Sequence, residues 1–166
     1  MHIYRWDLDK TYLDTNFSSL RGLMRAATEP AEDKRAVPGA TALIRGLAEA
    51  ASARIYILSG SPTQMRDVLE QKLRLDGVRY DGLVLKDNLA NLRKGRFRAI
   101  RGQFGYKLPA LLAARKGIGK GVQETLFGDD AEVDALIYSV YADTLAGRLK
   151  PAQVSRIMET AGAYPD

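Results

Sequence analysis

The sequence predicts an α/β fold, a Rossmann-like three-layer sandwich built on a mainly parallel sheet. Two observations carry that prediction. Short apolar runs at 2–6, 54–58, 80–85 and 123–127 alternate with segments of helical periodicity, which is the pattern of strands linked by helical crossovers. Three of the four runs end in polar clusters, at Asp7/Asp9, Ser59 and Asp129/Asp130. Sheets of this kind collect ligands at the carboxyl ends of their strands, close to the point where strand order reverses.

The first strand, His2-Ile3-Tyr4-Arg5-Trp6, runs into Asp7-Leu8-Asp9-Lys10-Thr11. Residues at i and i+2 share a strand face, so Asp7 and Asp9 can reach one ligand, and together they attract a hard cation. Such close like charges are costly unless something positive joins them. An Asp-rich turn with Thr11 capping a helix is the plainer alternative.

Residues 12–37 carry the turn signals Glu29-Pro30 and Val37-Pro38-Gly39 and read as a loop with a short helix, a small flap at most. Pro38-Gly39 opens a helix in which Ala42, Leu43, Leu47 and Ala48 share a face to about residue 51. The second strand, 54–58, stops at Ser59-Gly60-Ser61-Pro62, where Ser61 or Thr63 could cap a helix carrying Met65, Val68, Leu69 and Leu73 on one face.

Asp76-Gly77 is a turn, and the third strand follows over 80–85. Residues 88–106 interleave arginines with Phe97, Ile100 and Phe104, spaced as in a basic helix. A further helix begins at Lys107 and stops at Gly117-Ile118-Gly119. The fourth strand, 123–127, leads through Gly128-Asp129-Asp130 into a helix over 131–145, and Pro151 starts the last one.

At 166 residues the chain reads as one domain, 1–166, long enough to bury roughly 70% of its unfolded surface. Without cysteine there are no disulfides, thiolate metal sites or cysteine nucleophile, and a reducing, cytoplasmic setting fits. His2 is the only histidine, so acid/base work at neutral pH falls to carboxylates, lysine or tyrosine. No stretch has the length and apolarity of a membrane span, and the N-terminus lacks a signal-peptide succession.

The net charge of +5 invites an anionic partner, and it is unevenly placed. Lys86, Arg93, Lys94, Arg96, Arg98, Arg101, Lys107 and Lys120 lie in a stretch whose one acid is Asp87, whereas 121–143 holds acids alone. Nothing in the sequence specifies an oligomeric state.

Taken in order, these clusters resemble the haloacid dehalogenase (HAD) superfamily, most of whose members are magnesium-dependent phosphatases. The resemblance covers residues 7–134. Its first motif, Asp-x-Asp-x-Thr, is matched by Asp7-Leu8-Asp9-Lys10-Thr11; its second, a Ser or Thr ending the next strand, by Ser59; its third, a Lys near a helix start, by Lys107. The fourth, an acidic cluster after the last strand, is matched by Gly128-Asp129-Asp130, with Asp134 where its longer form places a final acid.

The resemblance implies Asp7 as nucleophile, forming an aspartyl-phosphate, and Asp9 as acid/base. It further implies Mg2+ held by Asp7, the Asp9 carbonyl and Asp129, and phosphate contacts from Ser59, Gly60 and Lys107. Thr11, Asp130 and Asp134 would support that set from behind. Each has a plainer role too: Ser59 could cap a helix, Lys107 could be solvated, and Asp130 and Asp134 could sit in a helix first turn.

The intervals between motifs leave no room for a large cap domain, so the expected site is open and suits a large substrate. The strings Leu58-Ser59-Gly60-Ser61-Pro62 and Tyr106-Lys107-Leu108 are similar to the catalytic domain of actin-patch-type phosphatidate phosphatases, which makes a lipid head group one expected substrate. The rival reading is a basic module that binds nucleic acid or an anionic surface through Arg93, Lys94, Arg96, Arg98 and Arg101 and has no catalysis.

Overall fold

The computed structural model describes residues 1–15, 29–87, 102–130 and 133–162. They divide into two compact units, Met1–Leu85 with Gly121–Gly128, and Lys86–Lys120 with Asp129–Asp166. The expected basic helix falls largely on 88–101, and part of the expected flap on 16–28; both lie outside the described residues.

The first unit holds a four-stranded parallel sheet in the order β3-β2-β1-β4, where β1 is His2–Trp6, β2 Ala53–Pro62, β3 Gly82–Lys86 and β4 Gln123–Phe127. Two helices connect the first three strands: α1, Ala40–Ala48, and α2, Arg66–Leu75, the latter entered through a 3-10 turn at Thr63–Met65. β1 pairs on one side with β2, from His2↔Ala53 to Trp6↔Ile57. On its other side it pairs with β4, from His2↔Gln123 to Trp6↔Phe127. Strand order therefore runs one way from β1 to β3 and then reverses, so the reversal point lies between β1 and β4.

The alternation of the strands sends Trp6, Ile55, Ile57, Leu83 and Leu85 into one apolar cluster with Ile44 of α1 and Met65, Leu69 and Leu73. Met65, Leu69 and Leu73 recur every four residues, which places them on one face. Each such side chain contributes about 1.5–3 kcal/mol by leaving water. Trp6 stacks on Phe127 with centroids 4.0 Å apart, tying β1 to β4 at the strand ends. Elsewhere Arg5 reaches Glu124 at 2.6 Å and lies over the Tyr56 ring, so polar contacts also cross β4, β1 and β2. α1 starts after Gly39 at φ 84, a left-handed backbone that a residue without Cβ adopts freely.

β2 runs four residues beyond its expected end, through Ser59-Gly60-Ser61-Pro62. Long-range hydrogen bonds from its hydroxyls, described below, hold this segment extended against its turn-like composition. β3 starts two residues later than expected, because Asp81 meets β2 differently: its carboxylate accepts the Ile55 N–H at 2.7 Å and its own N–H donates to Ile55 O.

The second unit is helical, with α3 Phe104–Arg115, α4 Asp134–Leu145 and α5 Pro151–Thr160. α3 packs on α4, and α4 on α5. Leu108 and Leu111 of α3, Ile137, Val140 and Tyr141 of α4 and Val154 of α5 are buried. α3 begins three residues before Lys107 and carries Pro109 inside it, with Lys107 N–H donating to Gln103 O. α5 starts at Pro151 as expected, its entry closed by the Gln153 side chain on the Lys150 N–H at 2.9 Å. Among the described residues no helix is long and apolar enough to cross a membrane.

Candidate active site

In the first unit, β1 ends where the motif residues begin. The Asp7 N–H continues the ladder onto Phe127 O at 3.0 Å, and its Oδ2 accepts the Thr11 hydroxyl at 3.3 Å. The chain then folds back sharply: the amides of Thr11, Tyr12 and Leu13 all converge on Leu8 O. Lys10 sits at φ 61, a left-handed conformation costing about 1–2 kcal/mol for a residue with a Cβ. Its N–H is held by Leu13 O at 2.8 Å and by the Thr15 hydroxyl oxygen at 3.1 Å, which offsets that strain.

The turn leaves Asp9 facing β2. Its Oδ2 accepts two hydroxyls, Ser59 at 3.0 Å and Ser61 at 2.9 Å, and its Oδ1 receives Thr15 at 3.4 Å. All of Asp7, Asp9, Ser59 and Ser61 are buried. Ser59 caps no helix: the 3-10 turn and α2 have no side-chain cap. Its oxygen accepts the Ser61 N–H at 3.0 Å, while its single proton goes to Asp9. Gly60 lies between the two serines in β2, half-buried.

In the second unit, Lys107 on α3 and Asp134, the first residue of α4, form an ion pair at 2.6 Å with both side chains about 1% exposed. The Tyr138 hydroxyl donates to the other Asp134 oxygen at 3.3 Å. Burial pushes the Asp134 carboxyl above its ordinary value, Lys107 opposes that shift, and Asp129 adds to it. Asp129 is buried and Asp130 exposed.

Asp7 continues β1 in the first unit, and Asp129 belongs to the second; each offers carboxylate oxygens. Carboxylate and carbonyl oxygens without nitrogen or sulfur suit a hard ion such as Mg2+ and give soft metals no preference.

Sequence reasoning placed Asp7, Asp9, Thr11 and Ser59 in one neighbourhood, and the structure brings these four together. It missed the Asp9 contacts of Ser61 and Thr15. The signal for Ser61 was available: Ser-Gly-Ser puts two hydroxyls on one face only if the strand continues. The Lys107–Asp134 pairing, across 27 positions, left no local trace.

No family model matches the chain, and no curated protein matches it. Among solved structures, a chain in the structure of the Pnkp1/Rnl/Hen1 RNA repair complex is similar, with a TM-score of 0.61 and 17% identity over 85% of this chain and 40% of its own. A second structure, of the Pnkp1/Rnl/Hen1 complex, gives 0.54 and 17% over 75% and 38%. The chain thus spans about two fifths of the structural relatives it matches. At that identity the likeness concerns the fold alone, and the fold is α/β of the Rossmann-like three-layer class.

Proposed function

We propose that the chain is a magnesium-dependent phosphatase that hydrolyses phosphomonoesters through an aspartyl-phosphate on Asp7. One observation carries this reading. Two buried carboxylates stand two residues apart at the carboxyl end of β1, at the reversal of strand order, each held by hydroxyl groups.

In this reading an Asp7 oxygen attacks phosphorus in line, and the P–O bond to the leaving group breaks as Asp9 gives that oxygen a proton. Asp9 then takes a proton from water, whose oxygen displaces the Asp7 carboxylate and releases inorganic phosphate. Asp7, the Asp9 carbonyl and Asp129 would hold Mg2+, which neutralises charge on the transferring group. Ser59 and the Gly60 amide donate to the phosphate oxygens. Lys107, which pairs with Asp134 at 2.6 Å, acts by holding that carboxylate and adding positive charge, with Asp130 in outer support.

The substrate we assign is a large phosphorylated molecule. Nucleic-acid ends come first, before a lipid head group such as phosphatidate. One of the similar chains belongs to the structure of an RNA repair complex, and the Arg93, Lys94, Arg96, Arg98 and Arg101 stretch supplies phosphate-binding charge. A cytoplasmic setting belongs to the same reading, since a chain without cysteine suits a reducing compartment.

The test is hydrolysis of para-nitrophenyl phosphate with and without Mg2+, comparing the wild-type chain with Asp7→Asn. Turnover that needs Mg2+ and falls by at least 10³-fold in the variant is expected, the size seen when a nucleophile is removed. A folded wild-type chain that neither turns over nor binds a divalent ion would return the reading to a basic binding module.

A further inference from the structure

The geometry around Asp9 holds one hydroxyl more than the proposed chemistry has used. Because β2 continues to Pro62, Ser59 and Ser61 fall on the same face of that strand. Both are buried, 0% and 1% exposed, and both donate to the same carboxylate oxygen, Asp9 Oδ2. A hydroxyl has one proton to give. If Ser59 donates to a phosphate oxygen, as the proposed function requires, it must withdraw that proton from Asp9.

The structure provides for this exchange. The Ser59 oxygen is pinned by the Ser61 N–H at 3.0 Å, so rotation about its Cβ–Oγ bond redirects the proton while the oxygen stays in place. The Ser61 hydroxyl, 2.9 Å from the same Oδ2, remains on Asp9 throughout. Oδ1 accepts the Thr15 hydroxyl at 3.4 Å, so the two lobes of the carboxylate are held from different elements.

We propose that Ser61 is a positioning residue, which keeps Asp9 aligned through its Oδ2 while Ser59 turns to the substrate phosphate. The proposal rests on the phosphatase reading of Asp9. A proton-transfer group that drifts by about 1 Å loses on the order of 10²-fold in rate, which is what a second, substrate-independent hydroxyl prevents. Ser61 never touches the substrate; its effect belongs in kcat rather than in KM.

The experiment is steady-state hydrolysis of para-nitrophenyl phosphate in Mg2+ by the full chain, with Ser61→Ala, Ser61→Thr, Ser59→Ala and Asp7→Asn, their folding checked by circular dichroism. Ser61→Ala should lower kcat about 10- to 10²-fold, the worth of one hydrogen bond to a charged group, with KM within about twofold. Ser61→Thr should restore most of kcat, and Ser59→Ala should raise KM, so the two serines separate. Wild-type kcat in Ser61→Ala beside an inactive Asp7→Asn overturns the positioning role and leaves the phosphatase standing. Should Ser61→Ala not fold, Ser61→Cys keeps the volume with a weaker donor: intermediate kcat supports the proposal and wild-type kcat overturns it. A wild-type chain without Mg2+-dependent turnover overturns the phosphatase reading, and this proposal with it.

Discussion

Tyr12 is 0% exposed, and its hydroxyl donates to Asp76, whose carboxylate also takes the Lys72 ammonium at 2.8 Å, with Thr41 at 3.3 Å from the phenol. Burial, reinforced by Asp76, pushes the phenol well above its ordinary value of 10.0. The folded chain therefore holds this proton more tightly than the unfolded chain does. Stability from Tyr12 is complete below about pH 10 and is lost as pH rises from there towards the raised folded value. Unfolding free energies from urea titration should decline above about pH 10. In Tyr12→Phe the decline should be shallower, on a baseline about 1–2 kcal/mol lower because Asp76 loses a donor. Tyr80 shifts the same way through burial and keeps a residual slope in that variant. An alkaline slope equal in both chains would put the titrating group elsewhere.

At the scale of elements, what could be read from the sequence was local and what could not was long-range. β1 and β4 fall where the sequence places them, since each is a five-residue run bounded by turn-forming or polar residues. β2 was cut short because Ser-Gly-Ser-Pro has the propensity of a turn. Asp9, some fifty positions away, supplies the hydrogen bonds that keep that segment extended. α3 was started late for a related reason: Gly105 and Pro109 argue against a helix locally, and packing against α4 overrides them. The candidate site divides the same way. Asp7, Asp9 and Ser59 were visible as strand-end residues, whereas the second donor to Asp9 depended on a strand boundary that propensity misplaces. Position within the sheet also sets the cost of substitution. Ile57 on interior β2 is fully buried and Val84 on edge strand β3 is 46% exposed. Ile57→Ala should cost about 2–5 kcal/mol by thermal or urea unfolding, because the lost apolar burial leaves a cavity behind. Val84→Ala should stay within about 1 kcal/mol. Equal costs would mean that the Ile57 site collapses to fill the space.

For the whole molecule, the proposed metal makes stability and function one measurement. A ligand that binds only the folded chain stabilises it by RT ln(1 + [L]/Kd), about 2.7 kcal/mol at a hundred times Kd. For a chain of this length that is a rise in Tm of roughly 5–10 °C. Saturating Mg2+ should produce it, excess chelator should remove it, and Asp7→Asn should lose most of it. The chain carries its own reporter. Trp6 is the only tryptophan, immediately precedes Asp7 and stacks on Phe127 at the end of β4, so its emission should change saturably with Mg2+ at the Kd that the Tm shift implies. Ca2+, larger and less strict in geometry, should bind with a different amplitude and support less turnover, because in-line transfer asks for the compact octahedral ion. A Tm unmoved by Mg2+, Mn2+ and Ca2+ alike, with Trp6 emission constant, would mean that Asp7, the Asp9 carbonyl and Asp129 do not form a metal site.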